Sequence, residues 1–251
     1  GEAVPEPAAH AKESVVPAPK PTAPALAPVE HHGVAWYEDA PDAAQARALA
    51  ENKALVVDLW APWCHTCLSM QNFVLTRPNL SALADQFVFL SLNTERAENA
   101  KVLQKLAVEA WPTFFVAEPK DWSVRGRWVG AASAADFGDF LRDGQRAFES
   151  ARAGTLADDD PFGLMLRGDA LAAEQKFEEA AHLFEEAVKL GGDAFTRRGD
   201  ALVSQISALR RAKQAEACAE LGLAHLDHTG TSVSASDFAS YALGCAEELP
   251  E

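Results

Sequence analysis

Ala61-Pro62-Trp63-Cys64-His65-Thr66-Cys67 sets two cysteines two residues apart, where the apolar run Ala54-Leu55-Val56-Val57-Asp58-Leu59-Trp60 gives way to a helix. The run has the length and continuity of a central strand covered on both faces, interrupted only by Asp58. A C-x-x-C pair at such a strand-to-helix junction is the pattern of a redox-active dithiol. If Cys64 starts the helix, unpaired backbone N–H groups and the helix dipole favour its thiolate, which is the form that attacks a disulfide. Cys67, one turn further in, is placed to attack the resulting mixed disulfide and release the product.

Working outward, Val34-Ala35-Trp36-Tyr37 reads as a short strand and Asp39 to Asn52 as an amphipathic helix, with Ala43, Ala46, Leu49 and Ala50 on its inner stripe. Beyond the cysteines a helix runs to about Leu75, and Pro78 marks a second helical start through Leu83. Phe87 to Leu92 is a strand and Glu98 to Val108 a helix. Pro112 to Val116 and Arg127 to Val129 are neighbouring strands joined by a turn, and Ala134 to Glu149 is a closing helix. This βαβαβαββα order predicts an α/β sandwich with a mixed sheet over residues 34–150. All six tryptophans (36, 60, 63, 111, 122 and 128) fall inside it, which puts the boundary near 150 to 160.

Residues 1–33 hold half of the 14 prolines among Ala, Glu, Val and Lys, a composition that cannot build a core. The expectation is a disordered, extended linker. The chain begins at Gly1 rather than Met, which is read as removal of a leader by processing or by design and suits an exported or membrane-tethered protein. The net charge of −15 argues against nucleic-acid binding, which needs Lys and Arg against phosphate. Most of the excess lies in residues 151–251, with 18 acidic against 9 basic side chains.

On Trp63, Cys64 and Cys67 of a W-C-x-x-C motif, Asp58 six positions earlier and Pro112-Thr113 some 45 residues on, residues 34–150 resemble the thioredoxin superfamily. The helix before the motif, Met70 after it and the helix broken near Pro78 look most like the periplasmic branch that includes the C-terminal domain of DsbD-type interchange proteins. The resemblance implies a cis bond before Pro112, a loop at Trp111 that pairs with substrate, and Asp58 as the group that takes a proton from Cys67. Desolvation of a strand-borne Asp58 would itself favour its acid form. Trp63, His65, Thr66, Trp111, Pro112 and Thr113 are the implied substrate-contacting residues. Ser91 stands where many thioredoxins carry a lysine partner for that carboxylate. Trp111, in place of a small or β-branched residue, either adds an apolar surface beside Cys64 or packs in the core. His65 either stabilises the Cys64 thiolate when protonated, making the couple more oxidising, or faces solvent with little coupling. A zinc site joining Cys64 and Cys67 to Cys218 and Cys245 is disfavoured, because the latter two are not a C-x-x-C pair. No metal, and no cofactor beyond the redox-active Cys64–Cys67 disulfide, is expected.

Residues 161–249 are rich in Ala, Leu and Glu at helical spacing, and Arg167-Gly168-Asp169-Ala170-Leu171 recurs as Arg198-Gly199-Asp200-Ala201-Leu202. Ala180, Phe184 and Ala187 match the A-x-x-x-F-x-x-A helix of a tetratricopeptide repeat, so residues 151–251 resemble a tetratricopeptide-like all-α domain. Arg167 and Gly192 depart from that pattern. Helices are expected at Phe162–Ala173, Phe177–Leu190, Ala194–Arg210, Lys213–Leu226 and Ser236–Leu249. Cys218 and Cys245 fall on neighbouring helices, either bridged in an oxidising compartment or buried as apolar residues.

The functional expectation is a periplasmic protein thiol:disulfide oxidoreductase with catalytic Cys64, Cys67 and Asp58. Its partners would be protein thiols and disulfides, an upstream electron donor or acceptor, and a peptide held by the helical domain. The alternative is a helical-repeat binding module whose redox pair is vestigial or regulatory.

Overall fold

The computed structural model describes residues 27–108, 110–157, 159–226 and 234–249. Most of the expected linker, residues 1–26, lies outside the described residues.

A six-stranded mixed sheet is built from β1 (Val29–His31), β2 (Val34–Glu38), β3 (Ala54–Trp60), β4 (Phe87–Asn93), β5 (Thr113–Ala117) and β6 (Val124–Val129). The spatial order is β1-β2-β4-β3-β5-β6, with β2, β4 and β3 mutually parallel and the other pairings antiparallel. β3 is therefore central, flanked on both sides, and residues 54–59 of it are buried.

Alternation along the strands sorts the core into two layers. Val56, Phe89, Phe114, Val116 and Trp128 face α5 (Ala134–Ala153) and the segment after the cysteines, which includes the short helix α3 (Arg77–Leu80). Leu55, Val57, Leu90, Leu92 and Phe115 face α1 (Pro41–Glu51) and the stretch around Val102 and Leu106. Proline at the first turn starts α1, and the Ser133 side chain accepts from the Asp136 amide to start α5.

Four readings of the sequence are corrected. β1 lies inside the stretch assigned to the disordered linker 1–33, because His32 and Gly33 (φ 49° and 79°) turn the chain back on itself and pair Val29 with Trp36. Any Cβ at Gly33 would also meet the Arg77 side chain at 2.7 Å. The buried stripe of α1 is Ala44 and Ala48, and Leu49 is exposed, since five alanines in eleven positions leave the helical phase undetermined. The helix expected over 98–108 shrinks to a turn at Ala97–Asn99 and α4 (Ala100–Leu103). α5 runs past residue 150 to Gly154, whose φ of 67° supplies the left-handed stop.

The C-terminal helices are α6 (Pro161–Ala173), α7 (Phe177–Gly191), α8 (Arg198–Arg211), α9 (Ala215–His225) and α10 (Ser234–Glu247). Ala180, Phe184 and Ala187 are fully buried among them, and Gly168 is the close approach that admits the Phe184 ring: a Cβ there would meet it at 2.7 Å. Cys218 and Cys245 are bridged, tying α9 to α10.

These helices also grip the sheet edge. α6 and α8 pack against β6, and Asp169 accepts from the Arg127 amide at 3.2 Å. Arg197 joins Asp143 of α5 at 2.7 Å to Asp200 of α8 at 2.5 Å. The unpaired edge that β6 would otherwise present is thereby covered.

Candidate functional site

β3 ends at Trp60, and Ala61 to Trp63 carry the chain to Cys64, which caps α2 (His65–Ser69). Cys64 has extended backbone angles and its Sγ accepts from the Cys67 amide at 3.0 Å, so the sulfur does what a serine or aspartate oxygen does at an ordinary helix start. The amide at Cys64 is held by the Ala61 carbonyl at 3.0 Å. The two sulfurs are joined as a disulfide. Cys64 is 5% exposed and Cys67 1%, so the first cysteine is the outer member. α2 continues as a π-helical turn at Met70–Val74, a local widening of the kind found beside functional sites.

Two tryptophans frame the pair. Trp63 is 56% exposed and donates to Glu95 Oε1 at 2.8 Å. Trp111 packs against the Ala61, Cys64 and Cys67 cluster, meets Trp63 edge to face with centroids 5.2 Å apart, and donates to Thr94 Oγ1 at 2.9 Å. Of the two placements open for Trp111, this is the one beside the sulfurs. The Trp111–Pro112 peptide is cis. Pro112 and Thr113 are buried, with the Pro112 carbonyl taken by Gly130 N and the Thr113 hydroxyl by Ala110 O. His65 and Thr66 are exposed on the first turn of α2.

Asp58 points from β3 toward the layer that contains α2 and is 1% exposed. Burial is the main cause that pushes its pKa up to about 7; hydrogen bonding from Gln71 and the Ser91 side chain pulls the other way. Gln71 Nε2 donates to Oδ2 at 2.9 Å, while Oδ1 has no partner of ordinary hydrogen-bond geometry among the described residues. Gln71 follows Cys67 by four positions, so it shares that face of the helix.

The structure thus gathers Cys64, Cys67 and Trp111 in one cluster, sets Trp63 against Trp111, and joins Asp58 to Gln71 one turn beyond Cys67. Gln71, Thr94 and Glu95 were missed from sequence. The i to i+4 offset from Cys67 signalled Gln71; Thr94 and Glu95 arrive only because β4 runs parallel to β3 and ends beside it. Among the described residues no group of three or more His, Cys, Asp or Glu is arranged to hold a metal, and no helix is long and apolar enough to cross a membrane.

A family model described as thioredoxin-like matches residues 35–119. The thiol:disulfide interchange protein DsbD of Klebsiella pneumoniae is 29% identical over 127 residues, which are 49% of this chain and 21% of that protein. The DsbD of Salmonella typhi is 30% identical over 105 residues, 40% of this chain and 18% of its own length. This chain therefore spans about a fifth of the curated relatives it matches. Among solved structures, a thioredoxin from Thermus thermophilus is 30% identical over 47% of this chain and 92% of its own, with a TM-score of 0.42. The C-terminal domain of Neisseria meningitidis DsbD in its reduced form is 25% identical over 41% of this chain and 92% of its own, with a TM-score of 0.36. Over residues 35–119 the chain is thus similar to a thioredoxin-like domain, and about half of it is similar to a fifth of DsbD; the cysteines of its C-x-x-C pair are joined as a disulfide.

Proposed function

We propose that this chain is a thiol:disulfide oxidoreductase that exchanges disulfides with protein substrates through Cys64-His65-Thr66-Cys67. The observation that carries the reading is the cap: Cys64 Sγ sits at the first turn of a helix and already accepts the Cys67 amide. A thiolate formed there has the same donor to stabilise it.

In the reductive direction, Cys64 thiolate attacks a substrate disulfide, forming one S–S bond and expelling the other substrate sulfur as a thiolate. Cys67 then attacks Cys64 Sγ, closing the internal disulfide and releasing the second substrate sulfur, while its proton passes to Asp58. A carboxyl with a pKa near 7 is matched to that transfer at neutral pH. Trp63, Trp111 and the Pro112-Thr113 segment form the surface against which substrate lies, with His65 and Thr66 at its rim. Relatedness to DsbD supports a periplasmic setting and a separate protein that recharges the couple.

The helical unit packs in tetratricopeptide-like fashion, as the Gly168–Phe184 approach and the buried Ala180 and Ala187 support. Its α6 and α8 face β6, so a peptide partner would use the outer groove of about 450 Å³ between α7 and α9, floored by Gln205 and Leu209.

Reduction of insulin by the intact chain and by Cys64→Ser tests the enzyme reading. Activity in the first and none in the second is expected; two equally inactive proteins would contradict it and favour a binding module with a regulatory disulfide.

A further inference from the structure

Asp58 is not isolated in its layer. In the sheet register Asp58 pairs with Ser91 on β4, and Ser91 pairs with Glu38 on β2, so three polar side chains stand in one row across three parallel strands. With strands ~4.8 Å apart, the row covers about 10 Å. The row ends at Glu38, and a side-chain contact continues it: His31 Nε2 of β1, whose backbone pairs with Val34, meets Glu38 Oε1 at 2.5 Å. His31 and Glu38 are both about half exposed, while Ser91 is intermediate and Asp58 closed off.

A crevice of about 180 Å³ runs along this row, lined among others by His31, His32, Glu38, Asp58, Gln71 and Ser91. Its titratable groups are His31, His32, Glu38 and Asp58, and it has room for several water molecules. His32 is engaged with Asn72 Oδ1 at 3.3 Å, and Gln71 with Asp58 Oδ2, which leaves Oδ1 as the carboxyl oxygen without a partner of ordinary geometry.

We propose that Asp58, Ser91, Glu38 and His31 form a proton relay across the sheet, carrying to solvent the proton that Asp58 takes from Cys67. This rests on the reading of Cys67 as resolving thiol and Asp58 as its proton acceptor. When Cys67 attacks the mixed disulfide at Cys64, the Cys67–Cys64 bond forms, the Cys64–substrate bond breaks, and the substrate sulfur leaves with the electron pair. The Cys67 proton moves to Asp58, which must shed it before the next cycle. Asp58 passes it to the Ser91 hydroxyl, directly or through crevice water; Ser91 releases its own proton toward Glu38, and His31 exchanges it with bulk water. Nothing is consumed, and the relay runs backward when the disulfide is reduced. The β1 hairpin thereby gains a role beyond closing the sheet, since it brings an imidazole to the outer end of a wire whose inner end is buried.

A single turnover of the reduced chain with oxidised glutathione, quenched in acid and followed by mass through the mixed disulfide, tests the relay. No protein partner is needed, so a chain inactive on proteins still reports on the relay, and the two readings fail separately. Ser91→Ala should lengthen the life of the mixed disulfide roughly tenfold near neutral pH without slowing its formation, whereas Ser91→Thr, which keeps the hydroxyl, should behave as wild type. Glu38→Gln should slow resolution in the same sense. His31→Gln should slow it about threefold and recover with added imidazole. Wild-type resolution and pH profile in Ser91→Ala would overturn the relay. So would equal slowing in Ser91→Ala and Ser91→Thr, which points to packing, or a failure of imidazole to restore His31→Gln.

Discussion

Gln71 Nε2 donates to Asp58 Oδ2 at 2.9 Å, linking the widened turn behind the cysteines to the buried carboxyl beneath them. This amide is the first of the two interactions that favour the charged form of Asp58 against the burial that disfavours it. Gln71→Leu should therefore raise the Asp58 pKa above about 7. Carboxyl ¹³C titration of the two proteins checks this; an unchanged midpoint would mean that the amide contributes nothing to the charged state.

The same carboxyl sets a dependence of stability on pH. Its folded pKa is raised from 3.8 to about 7, so the folded chain holds a proton that the unfolded chain has lost between those values. The group costs nothing below about pH 4, and stability falls as pH rises to about 7, beyond which the cost is fully present. Asp58→Asn should accordingly be more stable than wild type at pH 8 by about 4 kcal/mol and nearly equal to it below pH 4. Some slope should remain, because burial also raises Asp169 to about 7. Urea unfolding at several pH values measures both; an identical pH dependence in the two proteins would contradict the shift.

Trp111 packs on the sulfur cluster and donates to Thr94. Trp111→Ala should destabilise by about 2 kcal/mol and raise KM for a disulfide-bonded peptide about fivefold with kcat little changed. Steady-state kinetics separate these effects, and a fall in kcat at constant KM would place Trp111 in the chemistry rather than in substrate contact.

The Cys218–Cys245 bridge closes 27 residues between two helices and is buried. Replacing both cysteines with alanine should lower stability by about 3.5 kcal/mol on loop-entropy grounds while leaving exchange at Cys64 intact. Thermal unfolding and insulin reduction on the same sample test the pair; lost exchange in a folded variant would assign the bridge a redox role.

The central strand, the cysteine cap and the limits of α6 and α7 were legible because each rests on local pattern: a continuous apolar run, a C-x-x-C after it, and helical spacing ended by turns; α8, expected from Ala194, starts only at Arg198, because Gly192–Ala194 forms a separate 3-10 turn and Phe195 is extended. β1 was hidden because Val29-Glu30-His31 is too short and polar to announce a strand, and only pairing with β2 makes it one. The phase of α1 was hidden by its alanines. Arg197 gave no hint that it would tie Asp143 to Asp200, since that contact exists only once α8 meets α5 across the sheet edge. At the site, the cysteine pair could be read from spacing and Asp58 was implied by the thioredoxin resemblance, whereas the Asp58-Ser91-Glu38 row could not be read, because register between parallel strands is set by the whole fold.

Exchange through this site requires Cys64 to be the attacking sulfur, and alkylation of the fully reduced chain as a function of pH addresses that claim most directly. Cys64 should react with an apparent pKa clearly below the ~8.5 of an ordinary thiol, with Cys67 protected. Equal modification of both cysteines, or a Cys64 that titrates like a free thiol, would contradict it.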